Sequence, residues 1–507
     1  MQAKPCHVIG SATCLVPTGW SFCCKVELLN TALLTSECCR LQLDQCNFVF
    51  VSSISLFAMR FASAHCGHQA SCHTLGRKLS QLDISVPSRP AAARVKRSCR
   101  ALADGAAVKA AAVAEPPRVD LVPKPVTSVL QDLTRFQGLP SLSSTNEFHE
   151  AERCFTTLLG TENLDVQLRS DKDLQQAAQT LEEAVSTAAT SAFNSATGHG
   201  EDAKAAHTFL QRILYRINRL CFFWYDNLRN YSNERSLYLA QLRDSIEEPW
   251  QQWELSHFDV ESYKSKTVEQ LKDMVRQQAA HDVDPPLSEA ASYIKNEMSK
   301  EGYRHLLAVG SVDGLVEASR QSRVCGGAPN EIMCAIFRVL MEEYGTGRFN
   351  KKHSTFFATM MRELELNEEP EFYFDLVPWQ SLASINHNFL LTERRRHYLR
   401  YAGGLTFFEV NGPSVYRSYL AAAQRVGLSD AAAGYWELHI KEDERHGRQM
   451  VEDVAVPLIE QYGAEDGWEV VFGYDQEKMM GDRAGAALVI DLKDVDSKQS
   501  TPAMSMV

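Results

Sequence analysis

From about residue 127 onward, apolar side chains recur at three- and four-residue spacing, the period of helices that bury one face. The pattern predicts helices over 175–195, 205–243, 287–307, 330–344, 354–366, 381–410, 414–426 and 431–462. Asn, Gly and Pro separate them, as at Pro285-Pro286 and Gly412-Pro413. No segment of comparable length alternates with the period of two, so the expected fold class is all-α. The polar sequence 483–507 is expected to be a mobile tail.

Upstream the texture changes. Residues 59–114 are rich in Arg, Ala and Ser and poor in acids, the composition of an organellar transit peptide, here read as chloroplast rather than mitochondrial. Residues 1–58 show no period, and Met59 offers a second start, so 1–114 is read as a leader. Pro116, Pro117, Pro123 and Pro125 mark a linker over 115–126, followed by a helical extension over 127–234. That extension carries Phe222, Phe223, Trp224, Tyr225, Tyr231 and Tyr238, which predict packing or pairing with a second copy, a homodimer through the extension. Net charge is −12, but residues 1–114 are net +7, leaving −19 for the rest and arguing against a nucleic-acid partner. Cysteine is equally uneven. Beyond residue 99 only Cys154, Cys221, Cys325 and Cys334 remain, without paired spacing, which suits a reducing compartment. No apolar run approaches the ~20 residues of a membrane span.

The candidate chemistry lies in three helices. In 435–447, His439, Asp443 and His446 stand at i, i+4 and i+7 and project from one face, between Trp436 and Met450. Glu437, Lys441, Glu444 and Arg448 form a different, solvated face. Two imidazoles and a carboxylate on one face suit Fe(II) or a similar divalent ion. In the helix beginning at Glu331, Glu343 continues the apolar stripe of Ile332, Ile336 and Val339, whereas Glu342 falls with Glu331, Ala335 and Arg338. After the Gly345-Thr346-Gly347 break comes His353, which fits either a helix-start position or a ligand. Glu409 ends the uncharged run from Tyr401, where Gly403 and Gly404 allow another helix to come close. A buried carboxylate is costly unless paired, protonated or bound to metal. Glu343, His353, Glu409, His439, Asp443 and His446 together balance two ferrous ions to within one charge.

These motifs resemble the heme-oxygenase-like diiron oxidases, the iron-containing redox enzyme family. The resemblance rests on Glu343 and His353 across the Glu-Glu-Tyr-Gly-x-Gly break, on Glu409 thirty residues before His439, and on His-x3-Asp-x2-His. It covers roughly 235–475 and implies a heme-oxygenase-like helical bundle without heme, assigned to residues 235–482. It implies that these six residues ligate two iron ions (Fe2+), one Glu bridging, with Glu343, His439, Asp443 and His446 as the catalytic set. Dioxygen is the implied co-substrate, and a fatty acid, amino acid or amine the implied small-molecule substrate. Some relatives use one more carboxylate from the preceding helix. Glu317 stands there, but its neighbours Asp313, Gly314, Arg320 and Gln321 predict a surface position. Phe407, Phe408, Tyr435 and Trp436 are candidate pocket walls, and Arg394, Arg395 and Arg396 candidate carboxylate anchors. A ferredoxin-type reductant follows from the organellar address. Two other readings stand beside this one. A ferritin-like diiron protein would want paired Glu-x-x-His motifs, of which Glu254 and His257 supply one. The other is a non-catalytic helical interaction module with a structural or vestigial metal site.

Overall fold

In a computed structural model, residues 147–194, 200–222, 228–327 and 330–500 are described. The expected leader, the linker, residues 127–146 and 501–507, and Phe223, Trp224 and Tyr225 lie outside the described residues. The described residues are helical, with no strand among them. Helices α1 (His149–Gly160), α2 (Lys172–Phe193), α3 (Glu201–Asn218) and α4 (Leu237–Leu255) come first. Then follow α5 (Val268–Asp282), α6 (Glu289–Asn296), α7 (Lys300–Gly314), α8 (Glu331–Glu343) and α9 (His353–Glu363). The chain closes with α10 (Trp379–Glu393), α11 (Tyr398–Arg425), α12 (Asp430–Gln449) and α13 (Val456–Ser500).

The helix expected over 205–243 is two helices. Asn233 explains the break: its amide donates to the Leu159 and Thr161 carbonyls and its oxygen accepts from Leu164 N–H, so its side chain ties down a loop. The Ser236 hydroxyl then caps α4 by accepting from Leu239 N–H. Leu239, Leu242, Ile246 and Trp250 of α4 share one core with Phe155, Leu181 and Phe209. This core runs across residue 234, the expected end of the extension, and also takes in Ala383 of α10 and Met480 of α13.

α11 packs along both α12 and α13. At Gly403 the approach to α13 leaves no room for a side chain: an added Cβ would stand 2.9 Å from both the Val470 carbonyl carbon and the Tyr474 nitrogen. Pro413 does not stop α11, contrary to the sequence expectation. The missing Pro413 N–H costs one hydrogen bond, to the Glu409 carbonyl, but Glu409, Val410, Gly412, Pro413 and Tyr416 are buried, and packing holds the helix through the proline. The segment 483–500 is likewise helix, not tail. Val489 and Leu492 are buried in the core, and Asp496 accepts from Tyr293 Oη–H and Ser299 N–H at 2.5 and 3.0 Å, anchoring the last turns.

Candidate metal centre

Four structural devices aim the candidate ligands. The Asn330 side chain caps α8 by accepting from Met333 N–H, fixing the helix whose last residue is Glu343. Gly345 and Thr346, both at positive φ (59° and 51°), turn the chain back, and α9 starts at His353. Ser429 caps α12 and is itself held by the Glu363 carboxylate, which accepts from Ser429 N–H at 2.7 Å and so joins the end of α9 to the start of α12. After Gln449, α12 passes into a π-helical turn, Met450–Ala455, before α13.

The structure brings all six sequence-selected residues together and buries them. Glu317, Glu343, His353 and His439 each place one ligand atom within 4.8 Å of the others, and Glu343, Asp443 and His446 do the same. Glu343 belongs to both groups. Its Oε2 lies 2.8 Å from His353 Nδ1, while Glu409 Oε2 lies 3.2 Å from His446 Nδ1.

Three further acids contribute: Glu317 and Glu342, which the sequence reading placed elsewhere, and Glu442, which it did not single out. Glu317 is not at the surface: its Oε1 lies 3.0 Å from His439 Nε2 and accepts from Tyr435 Oη–H at 2.8 Å. Helix α7 ends at Gly314 and Ala318 has φ +61°, so residues 315–320 do not follow the helical stripe on which the surface expectation rested. Glu342, expected on the outer face, reaches His446 Nε2 at 2.5 Å and pairs with Arg445. Glu442 Oε2 lies 3.5 Å from His353 Nε2. The doublet Glu342-Glu343 at a helix end and Glu442 three residues after His439 are the signals that could have found two of them.

Each imidazole thus turns one nitrogen inward and has the other held from outside. His439 Nδ1–H donates to the Tyr435 carbonyl at 2.8 Å, leaving Nε2 inward. For His446 and His353 the outer partners are Glu342 and Glu442. This carboxylate–histidine arrangement orients metal-binding imidazoles and raises their basicity.

The charges are perturbed accordingly. Burial would lower His353, but Glu343 and Glu442 raise it to about 9. Burial opposes His446 as well, yet Asp443, Glu409 and Glu342 raise it to about 11. His439 is raised well above its ordinary value, against burial, chiefly by Glu317. Asp443 is raised to about 7, by burial first and then by Glu409.

A fit to metal is visible in the leftover valences. Glu317 Oε2 and Asp443 Oδ1 are buried and accept no hydrogen bond. A buried carboxylate oxygen with no donor is costly, and divalent cations among mixed oxygen and imidazole nitrogen donors would satisfy both.

The candidate pocket residues divide. Phe408 and Phe407 line cavities beside the centre. Tyr435 and Trp436 are buried, the first donating to Glu317 and the second, through Nε1–H, to Tyr303 Oη at 2.7 Å. The expected arginine anchors are engaged elsewhere: Arg394 pairs with Asp244 and Glu247, and Arg396 with Glu469. None of Arg394, Arg395 and Arg396 lines the cavities described here. Glu254 of the ferritin-like alternative is buried and engaged by Arg483 and the Trp250 indole.

Residues 304–476, a span that holds every residue of the centre, match the model of a family described as iron-containing redox enzymes. Among proteins of known function, the chain is 27% identical over 168 residues to nitrosourea synthase of Streptomyces achromogenes subsp. streptozoticus. The aligned stretch is 33% of this chain and 36% of the relative, so the chain spans about a third of the relative it matches. Among the described residues no helix is long and apolar enough to cross a membrane.

Proposed function

We propose that the protein is a non-heme diiron oxidase or oxygenase that uses dioxygen to oxidise a small organic substrate. The observation that carries this reading is the convergence of buried acids and imidazoles in two groups that share Glu343, with two carboxylate oxygens, Glu317 Oε2 and Asp443 Oδ1, left without donors. Glu317, His353 and His439 would hold one iron, Asp443, His446 and Glu409 the other, and Glu343 would serve both. Ferrous iron supplies the one-electron chemistry by which dioxygen reacts with a closed-shell organic molecule. The chain's own part is to hold the ligands rigid: Glu342, Glu442 and the Tyr435 carbonyl fix the three imidazoles, and Tyr435 Oη–H holds Glu317. The apolar packing of Tyr416, Tyr419, Tyr435 and Trp436 keeps bulk water from one side of the centre.

The test is iron analysis of full-length protein expressed with ample iron, alongside anaerobic Fe(II) loading and dioxygen consumption. Two irons per chain, lost in His439→Ala and His446→Ala, are expected. Iron-free protein of undiminished stability would instead favour the non-catalytic module. A ferredoxin-type reductant, pairing through the extension and an organellar address are further parts of the proposal. They are tested by reduction assays, sedimentation and the location of a fluorescent fusion to residues 1–126.

A further inference from the structure

Beside the metal centre lie two cavities that share a wall. The smaller, about 130 Å3, is lined by Glu317, Glu343, Glu409, His439 and Asp443. The larger, about 520 Å3, is mostly apolar, with Ile294, Phe407, Val415, Tyr419, Leu488 and Val489 in its lining. That volume is in the range of small-molecule sites. Ser384, Phe408 and Glu477 line both cavities, so they stand at the junction. Ile294 on α6 and Glu477, Leu488 and Val489 on α13 fall outside the family-matched segment 304–476, so this chamber is built partly from what is particular to the chain.

Glu477 is the unexplained group at that junction. Its Oε2 lies where a Cβ on Gly404 would be 3.2 Å away, so the glycine makes space for the carboxylate. No described residue donates a hydrogen bond to it. Arg320, which attracts it, is itself bonded to Asp313 at 2.5 Å and to Asn388 at 2.9 Å. Burial raises Glu477 to about 7 against the pull of Arg320, a cost that a cationic guest would relieve. Apart from the residues of the centre, the charged side chains lining the two cavities are Asp313, Glu477 and Asp482 against Arg320 alone. Such a lining repels a free carboxylate and attracts a cation.

We propose that the larger cavity is the substrate chamber and that Glu477 is its specificity residue, binding the protonated nitrogen of an amine whose apolar body fills the chamber. The proposal rests on the diiron reading for the chemistry that follows, but binding is separable from it.

The experiment titrates full-length protein, both metal-free and anaerobically loaded with Fe(II), with hexylamine, hexanol and hexanoate by calorimetry, and measures iron on the same samples. Hexylamine is expected to bind about tenfold or more tightly than the other two, as a charge-assisted contact requires. Glu477→Gln should abolish that preference and Glu477→Asp keep part of it. Gly485 also lines the chamber, and an added Cβ there meets nothing within 4 Å. Gly485→Leu should therefore fold and weaken all three probes. Equal binding of hexanoate and hexylamine, a preference that survives Glu477→Gln, binding untouched by Gly485→Leu, or no binding at all overturns the proposal. Amine binding by protein that retains no iron after Fe(II) loading upholds the chamber and defeats the diiron reading; two irons per chain without amine preference do the reverse.

Discussion

The contact of α11 with α13 at Gly403 sets a sharp test of how the centre is held. In Gly403→Ala the new methyl would stand 2.9 Å from the Val470 carbonyl carbon and the Tyr474 nitrogen. Comfortable contact between such atoms needs about 3.5 Å or more, and the Val470 carbonyl oxygen stands nearer still, so the helices must part by more than about 1 Å. The obstacle is backbone, which cannot rotate away as a side chain would. Overpacking of this kind costs about 1–3 kcal/mol or more, while alanine returns about 1 kcal/mol of helix propensity over glycine. The balance is a loss of about 2 kcal/mol or more, a substantial part of an ordinary stability of about 5–15 kcal/mol, or a fall in Tm of roughly 3 °C or more for a fold of this size. Gly485→Ala on α13 is the matched control: with nothing within 4 Å, only the propensity gain remains, and stability should hold or rise. Urea denaturation and thermal melting of the two variants give the comparison. Because Glu409 lies six residues along α11 from Gly403, about 9 Å at 1.5 Å per residue, Fe(II) affinity should fall in Gly403→Ala only. If Gly403→Ala is as stable as Gly485→Ala, the account of this interface is wrong.

Other outcomes follow from the centre itself. His353 and His446 are raised in the fold from 6.5 to about 9 and about 11, and Asp443 from 3.8 to about 7. Groups raised on folding contribute stability that is complete below their unfolded values and lost as pH rises through the folded ones. Metal-free protein should therefore melt at lower temperature at about pH 9 than at about pH 6, and Fe(II), which displaces the same protons, should flatten the slope; a level profile without metal would count against the network. Glu342→Ala removes the outer partner of His446 and should weaken Fe(II) binding about 10- to 100-fold while far-ultraviolet dichroism stays unchanged. Tyr435→Phe, which takes one donor from Glu317, should weaken it less, with Tm within about 2 °C of the parent.

The six residues read from the sequence were legible because each stands on a regular helix, or at its start, where the period of 3.6 fixes its face and the neighbours on that face are uncharged. The same logic failed where the backbone departs from that period. Glu317 follows the end of α7, in a turn containing Ala318 at positive φ, so its helical neighbours in the sequence are not its neighbours in space. Glu342 stands at the last turn of α8, where its side chain reaches an imidazole on α12 that no local pattern announces. Pro413 is a break by local rules and helix by packing, because residues far away in sequence bury both sides of it. The 483–500 segment looked like a tail because charged and polar residues crowd its second half, from Asp491 on, and its anchors, Tyr293 and Ser299, are about two hundred residues distant. The arginine anchors failed for a related reason: their partners Asp244, Glu247 and Glu469 come from other helices.

The long final helix has a consequence for how such a protein can change. None of the residues that converge on the centre comes from α6 or α13, yet both helices furnish walls of the adjoining chamber. Their residues can vary in size and charge, reshaping that chamber, while the acids and imidazoles of the family-matched segment stay as they are. Met480 extends that freedom further, since it roots the same helix in the core of α1–α4: a repacking of the extension is one helical turn from Glu477, and selection on the one region is felt in the other.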